Sequence, residues 1–264
     1  MKYEESFSSI KNKTFLSKPQ SFSFHNYGDK PLYENIYETK EKLKGTWDFC
    51  TSDSQHKFQE VLNYKPKDWY YRNANVKYTL NSEGYRAKEF NQIDWKNSIV
   101  MFGCSHIFGT GNDNTSTIPA LLENLIKVPV INMGINGASI KTIAHNCLAL
   151  YHSYDRPKMI IFGWTSLSRK GAYFDNTIDS THTFNSQDDV TDTILTNMLL
   201  VNMVKTMWAK KCPIYEFSFF KNSAKLINCD YYKNVDYARD DVHYGIKSHN
   251  IISEKIYNKI KKLI

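Results

Sequence analysis

Four short apolar runs alternate with helical repeats over the C-terminal two thirds of the chain, and this alternation constrains the fold more than any other feature. "SIVMF" (98–102), "VPVINM" (128–133), "KMIIFGW" (158–164) and "PIYEFSF" (213–219) read as strands. Between and after them, "IPALLENLIK" (118–127), "SIKTIAHNCLALYHS" (139–153), "TDTILTNMLLVNMVKTMWAKK" (191–211) and the terminal "YGIKSHNIISEKIYNKIKKLI" read as helices. Strands that are apolar on both faces, separated by helices, predict a parallel sheet covered on both sides. The expected architecture is a doubly wound, mostly parallel, three-layer α/β/α domain over 96–264. In such sheets ligands bind at the carboxyl ends of the strands. Ser105 after the first run, Gly134 and Gly137 after the second, and Trp164 and Thr165 after the third should share that edge.

Upstream the pattern is weaker. Residues 1–95 are expected to form an N-terminal extension. Residues 1 to about 50 are a polar, irregular arm, "QHKFQEVLNY" (55–64) is a short helix, "NVKYTLN" is a strand and "NSEGYR" is a turn. The polar stretch 170–188 is the one obvious lid candidate. Ile251, Ile252, Ile256 and Ile260 share a face of the last helix, as core packing requires.

Composition excludes several classes. A hydrophobic fraction of 41% with 23% charged residues is ordinary for a globular chain. The net charge of +7 is dispersed, with no zinc finger or basic stripe, so nucleic-acid binding is not expected. Five cysteines without a C-x-x-C pair argue against a disulfide scaffold and a zinc ribbon. No signal peptide and no membrane span are expected, which implies cytoplasmic synthesis and leaves the final location open. The Asn-, Lys-, Ile- and Tyr-rich composition hints at an AT-rich source such as a bacterium or its virus, and the arm offers a means of docking to a larger assembly.

The segment "FGCSHIFGTGND" carries the candidate chemistry. It lacks the lysine of a phosphate-binding loop and the third glycine of a dinucleotide fingerprint. A nucleophilic serine needs a base, a group to orient that base, and donors for the oxyanion. "ARDDVHYGIKSHN" supplies Asp240 and His243 three residues apart, so that the carboxylate reaches Nδ1–H and leaves Nε2 facing Ser105. Asp241 is the neighbouring carboxylate, expected to be solvated or capping. Cys104 is a rival nucleophile that strand alternation turns into the core, and His106 lines the cleft or is an ordinary loop histidine. A metal site from His243, His249 and Asp240 lacks compact zinc spacing. Gly134 and Gly137 are expected to adopt positive φ. The aromatic "DWYYRN" (68–73) is read as core in preference to a sugar platform.

These segments resemble the SGNH (GDSL-like) hydrolases in three blocks: "FGCSHIFG", "VINMGINGAS" and "DDVHYGIKSHNIISEKIY". The resemblance covers roughly residues 80–260 when "NSEGYR" is included. It implies Ser105 as nucleophile, Asp240 and His243 as its partners, and Gly137 as an oxyanion-hole donor. The family's third block is usually G-x-N-D, whereas this chain has Gly163-Trp164-Thr165-Ser166, with Thr165 in place of the asparagine donor. Thr165, Arg169 and Asn136 are the alternative donors, and Trp164 and Arg169 are expected to contact substrate. The resemblance therefore implies a cofactor-free serine esterase removing a small, acetyl-like acyl group from a carbohydrate or lipid-like substrate. The alternatives are a catalytically weak binding or structural module and an O-acyltransferase.

Overall fold

The computed structural model describes residues 24–29, 43–174, 177–181 and 187–264. The sequence-based reading of the arm over 1–23 and 30–42, and of part of the 170–188 lid, lies outside them.

The first described elements are short strands: β1 (Phe24–His25), β2 (Gly45–Trp47) and β3 (Phe49–Cys50). Helix α1 (Gln55–Leu62) starts where the Ser54 side chain accepts from Lys57 N at 3.1 Å. Strand β4 (Tyr78–Leu80) pairs antiparallel with β2, and β1 pairs antiparallel with β3. The arm expected to be irregular to about residue 50 thus already contributes a strand at residues 24–25 and joins the folded body again by residue 45. Its strands are two or three residues long, too short to leave a period in the sequence.

Beyond residue 97 the predicted alternation holds. Strand β5 (Ile99–Gly103) leads to the four-residue helix α2 (Ser105–Phe108) and then α3 (Ile118–Ile126). Strand β6 (Val130–Gly134), helix α4 (Ile140–Ser153) and strand β7 (Met159–Trp164) follow. Strands β8 (Lys170–Phe174) and β9 (Thr177–Thr181) pair antiparallel where the lid was expected. Helix α5 (Gln187–Ala209), strand β10 (Ile214–Ser218), helix α6 (Lys221–Ile227), strand β11 (Asp230–Tyr231) and helix α7 (Ile246–Ile260) complete the chain. Two further helix starts carry side-chain caps: Ser139 and Thr142 form a reciprocal capping box at α4, and Thr117 caps α3 ahead of Pro119.

The central sheet runs β6-β5-β7-β10-β11, every neighbouring pair parallel. Every residue of β5, β6 and β7 is buried, as expected for strands covered on both faces. The chain steps from β5 to β6 in one direction and returns past β5 to β7 in the other. Right-handed crossovers then put α3 and α4 on opposite faces, and the reversal opens a crevice at the carboxyl ends of β5 and β7. Helix α3 packs on α7, and α4 packs on α5.

Three glycines lie in register across that edge: Gly103 pairs with Gly134 on one side and Gly163 on the other. A Cβ on Gly103 would meet Ile107 Cγ1 at 2.3 Å, one on Gly134 would meet Phe108 N at 2.3 Å, and one on Gly163 would meet Ile107 Cδ1 at 2.7 Å. The glycine row is the floor on which α2 rests. Gly134 therefore serves close approach and not the positive φ expected of it, whereas Gly137 does have φ +66°.

Candidate active site

Cys104 continues β5 in extended conformation, is buried in the core as expected, and turns the chain into α2, whose first residue is Ser105. Three groups fix this short helix. Asn132 of β6 donates from Nδ2 to Ile107 O at 3.0 Å. Gly109 closes the helix at φ +85°. Arg86, from the predicted "NSEGYR" turn, donates from Nη1 to Phe108 O at 3.0 Å and to Gly109 O at 2.8 Å. Burial pushes the Arg86 pKa down to about 10.

Asp240 and His243 sit in the loop between β11 and α7. Asp241 adopts φ +55°, Ala238 N donates to His243 O at 2.8 Å, and Asp241 N donates to Ala238 O at 2.9 Å, so the backbone reverses within one tight turn. Asp240 Oδ1 accepts from the N–H groups of Val242 at 3.1 Å and His243 at 3.0 Å. Its Oδ2 lies 2.6 Å from His243 Nδ1, and His243 Nε2 lies 2.8 Å from Ser105 Oγ. The structure thus brings together the three residues predicted from their spacing. Burial alone would push the Asp240 carboxyl up, but the bonds from His243 and Ser52 hold it at about 2. An ionised Asp240 is therefore the partner of His243 at neutral pH. Ser105 is 8% exposed.

The other predicted site residues divide. Thr165 follows β7 and is fully buried, with no hydrogen-bond partner for its Oγ1 among the described residues. Arg169 is half-buried and donates from Nη1 to Ala138 O at 3.2 Å, linking the loops after β7 and β6. Trp164 is fully buried, stacked on Phe162 at 4.4 Å, with its indole N–H on Glu216 Oε2 at 3.0 Å. It is a core residue and not the substrate contact expected, because both faces of β7 are covered. Asn136 is also redirected: its Oδ1 accepts from Thr110 Oγ1 and its Nδ2 reaches Cys50 Sγ at 3.0 Å, which takes its amide into the N-terminal segment.

His106 is wedged under the loop, its ring 4.6 Å from Phe219, 4.4 Å from Tyr244 and 5.3 Å from His243. Burial, then the neighbouring His243, His249 and Arg169, hold its pKa well below the usual histidine range, so it stays neutral. His249 is buried on α7 with Nδ1 2.9 Å from Ser116 O, and burial lowers its pKa to about 4. Among the described residues no group of three or more His, Cys, Asp or Glu side chains could hold a metal ion, and no helix is long and apolar enough to cross a membrane. Asp241 is not simply solvated but bonded to Lys65 Nζ at 2.5 Å and Tyr64 Oη at 2.9 Å. Tyr71, of the aromatic "DWYYRN", is buried in a second apolar cluster with Tyr78, Phe108 and Ala238.

Sequence reasoning missed Ser52, whose Oγ donates to Asp240 Oδ2 at 2.8 Å, and the adjacent Asp53, which is paired with Arg239. No motif marks either; the only signal is that Ser52-Asp53 and Arg239-Asp240 are complementary dipeptides.

No protein-family model matches the sequence, and no curated protein matches it. Among solved structures it is similar to carbohydrate esterases and GDSL-type lipolytic proteins. One is a carbohydrate esterase whose active site displays divergent catalytic and non-catalytic binding functions (12% identity, 64% of this chain and 66% of that one, TM-score 0.46). Another is an acetyl xylan esterase from the rumen bacterium Butyrivibrio proteoclasticus (11% identity, 64% of each chain, TM-score 0.45). A third is a member of the lipolytic G-D-S-L family from Veillonella parvula (12% identity, 62% of this chain and 98% of that one, TM-score 0.41). The chain spans just under two thirds of the length of the first two. At these identities and TM-scores, fold and site are read from the sheet order and side chains of this chain itself.

Proposed function

We propose that the protein is a serine ester hydrolase. The observation that carries this reading is the unbroken contact chain from Ser105 Oγ through His243 to the ionised Asp240, at 2.8 and 2.6 Å. Within it, Ser105 attacks an ester carbonyl while His243 Nε2 takes the hydroxyl proton, and Asp240 holds the Nδ1–H tautomer and stabilises the imidazolium. The alcohol leaves with the proton from His243. Water, deprotonated by the same nitrogen, then releases the acid and restores Ser105.

The oxyanion would be met by the N–H groups of Ser105 and Gly137 and by the Thr165 hydroxyl. A buried hydroxyl with no partner costs about 1–3 kcal/mol, and a substrate oxyanion at the end of β7 would supply its acceptor. The nearly enclosed Ser105 favours a small acyl group such as acetyl, carried by a sugar or another small alcohol. Arg169 remains the candidate substrate contact at the rim.

The test is hydrolysis of p-nitrophenyl esters from acetate to octanoate, and of an O-acetylated glycan, by the wild type, Ser105→Ala and His243→Ala. Turnover of the short esters that falls by about 10⁴ or more in both variants is expected. A folded wild type no faster than its variants on every substrate would favour the binding-module alternative.

A further inference from the structure

Asp240 accepts four hydrogen bonds, three of them from within its own turn: the N–H groups of Val242 and His243 on Oδ1, and His243 Nδ1 on Oδ2. The fourth comes from the other end of the chain. Ser52 Oγ donates at 2.8 Å to Oδ2, the oxygen that holds the imidazole. The placement of Ser52 is tightly determined. Cys50 and Asp53 exchange backbone bonds at 2.9 and 3.0 Å, and Thr51 is held at φ +52°, so Ser52 sits at the tip of a closed turn. The next residue pins that turn to the loop it serves. Asp53 is fully buried and takes Arg239 Nε at 2.9 Å and Nη2 at 2.7 Å, together with the Tyr78 hydroxyl at 2.5 Å. Tyr78 Oη in turn accepts from Gly111 N at 2.7 Å. Ser52-Asp53 and Arg239-Asp240 thus meet as two consecutive rungs, one a buried ion pair and the other a hydroxyl on the carboxylate of the site.

We propose that Ser52 is a positioning residue of the hydrolytic site, its hydroxyl setting the orientation of the Asp240 carboxylate and the strength with which that carboxylate holds His243. This rests on the serine-hydrolase reading above. A donor on Oδ2 locks rotation of the carboxylate and draws off part of the charge that otherwise falls on the imidazole. Removing it leaves Oδ2 more basic and tightens its hold on the Nδ1–H of the protonated ring, so the pH profile of Ser105 reactivity shifts towards higher pH. The other groups facing this pair are the Asp53–Arg239 ion pair, Asp241 with Lys65 and Tyr64, Tyr71 from the N-terminal segment, His106 on α2 and His249 on α7. A change at Ser52 alters the charge of none of them. Because the Ser52 residue itself is exposed, truncating it leaves no cavity.

The experiment is the rate of covalent labelling of Ser105 by a fluorophosphonate, in which Ser105 Oγ displaces fluoride at phosphorus, measured across pH. Wild type, Ser52→Ala and Ser52→Thr are compared, with Ser105→Ala as the blank and melting temperatures as the check on folding. Ser52→Ala is expected to label about tenfold more slowly on the plateau, with the acid limb moved up by about half a pH unit. Ser52→Thr, which keeps the hydroxyl, is expected to follow the wild type. A Ser52→Ala profile that overlays the wild type overturns the proposal and leaves the hydrolase reading standing. So does a slow Ser52→Ala with an unmoved limb that Ser52→Thr fails to rescue, which would mark a merely structural contact. A folded wild type that labels no faster than Ser105→Ala at any pH overturns both.

Discussion

The carboxyl edge of the central sheet and the segment from 43 to 97 both converge on Ser105 and its partners, yet they are held by different means. At the sheet edge the backbone satisfies itself: β5, β6 and β7 are parallel neighbours whose residues are all buried. The N-terminal segment has strands of two or three residues and therefore many carbonyls with no ladder partner. Buried carbonyls of that kind need donors from elsewhere, and here arginines supply them. Arg86 serves the carbonyl of Lys77 and, across the junction, those of Phe108, Gly109 and Asn112 after β5. Arg72 serves Leu62, Lys65 and Pro66, and Arg239 serves Asp48 while pairing with Asp53. A guanidinium offers five donors in a fixed plane, so one side chain can replace a short stretch of ladder. Order in the first region is carried by backbone, and in the second by a few cations.

That difference predicts where damage concentrates. Arg239→Met strips one cation and strands the Asp53 carboxylate in a fully buried position. Breaking a buried pair from one side costs about 3–5 kcal/mol, and urea unfolding should show a loss of that size. Arg239→Met combined with Asp53→Asn should recover part of it, since no charge is then left unpaired. A loss below about 1 kcal/mol for Arg239→Met, the size of an exposed pair, would mean that the cations do not hold the segment and that the contrast with the sheet is false.

The same contrast explains what was legible. β5, β6, β7 and β10 could be read from sequence because continuous apolar runs bounded by helical repeats have few other structures open to them. Strand β11, two residues at the sheet edge, and α6, seven residues with a polar composition, carry no such pattern. Ser105, Asp240 and His243 were legible because one follows a strand and the other two are close neighbours in one turn. Ser52 lies 188 positions from Asp240, and no local rule connects residues so far apart. Trp164 and Asn136 were misplaced for a related reason. Position at a strand end predicted the right edge, but their side chains are claimed by Glu216, Thr110 and Cys50, partners that only the tertiary structure reveals. The glycine row was visible as glycines at or next to the ends of the first three runs, but its purpose required the register.

At the sheet edge itself, Thr165→Val separates stability from chemistry. The hydroxyl has no partner among the described residues, so replacing it with a methyl of the same shape removes a buried unsatisfied group. Thermal unfolding should show Thr165→Val as stable as the wild type or more so. If the hydroxyl meets the oxyanion, kcat should nevertheless fall by about 10² to 10³, with KM little changed. An unchanged kcat would leave Thr165 as packing and place the whole of oxyanion stabilisation on backbone N–H groups.

The smallest effect is expected where the two regions touch at the surface. Asp240 and Asp241 are adjacent carboxylates, and each is bonded to the N-terminal segment, one through Ser52 and the other through Lys65 and Tyr64. Their environments differ: Asp240 is fully buried against His243, whereas the Asp241 and Lys65 side chains each remain 21% exposed. Asp241→Asn keeps a residue type that tolerates φ +55° and removes only the charge. A partly exposed pair is worth about 1 kcal/mol or less, so unfolding free energy should drop by no more than that and kcat should stay within about twofold. A loss near 10⁴, the scale seen when an orienting carboxylate is neutralised, would transfer that role from Asp240 to Asp241. It would also make the salt bridge to Lys65, and not the hydroxyl of Ser52, the point at which the N-terminal segment governs the site.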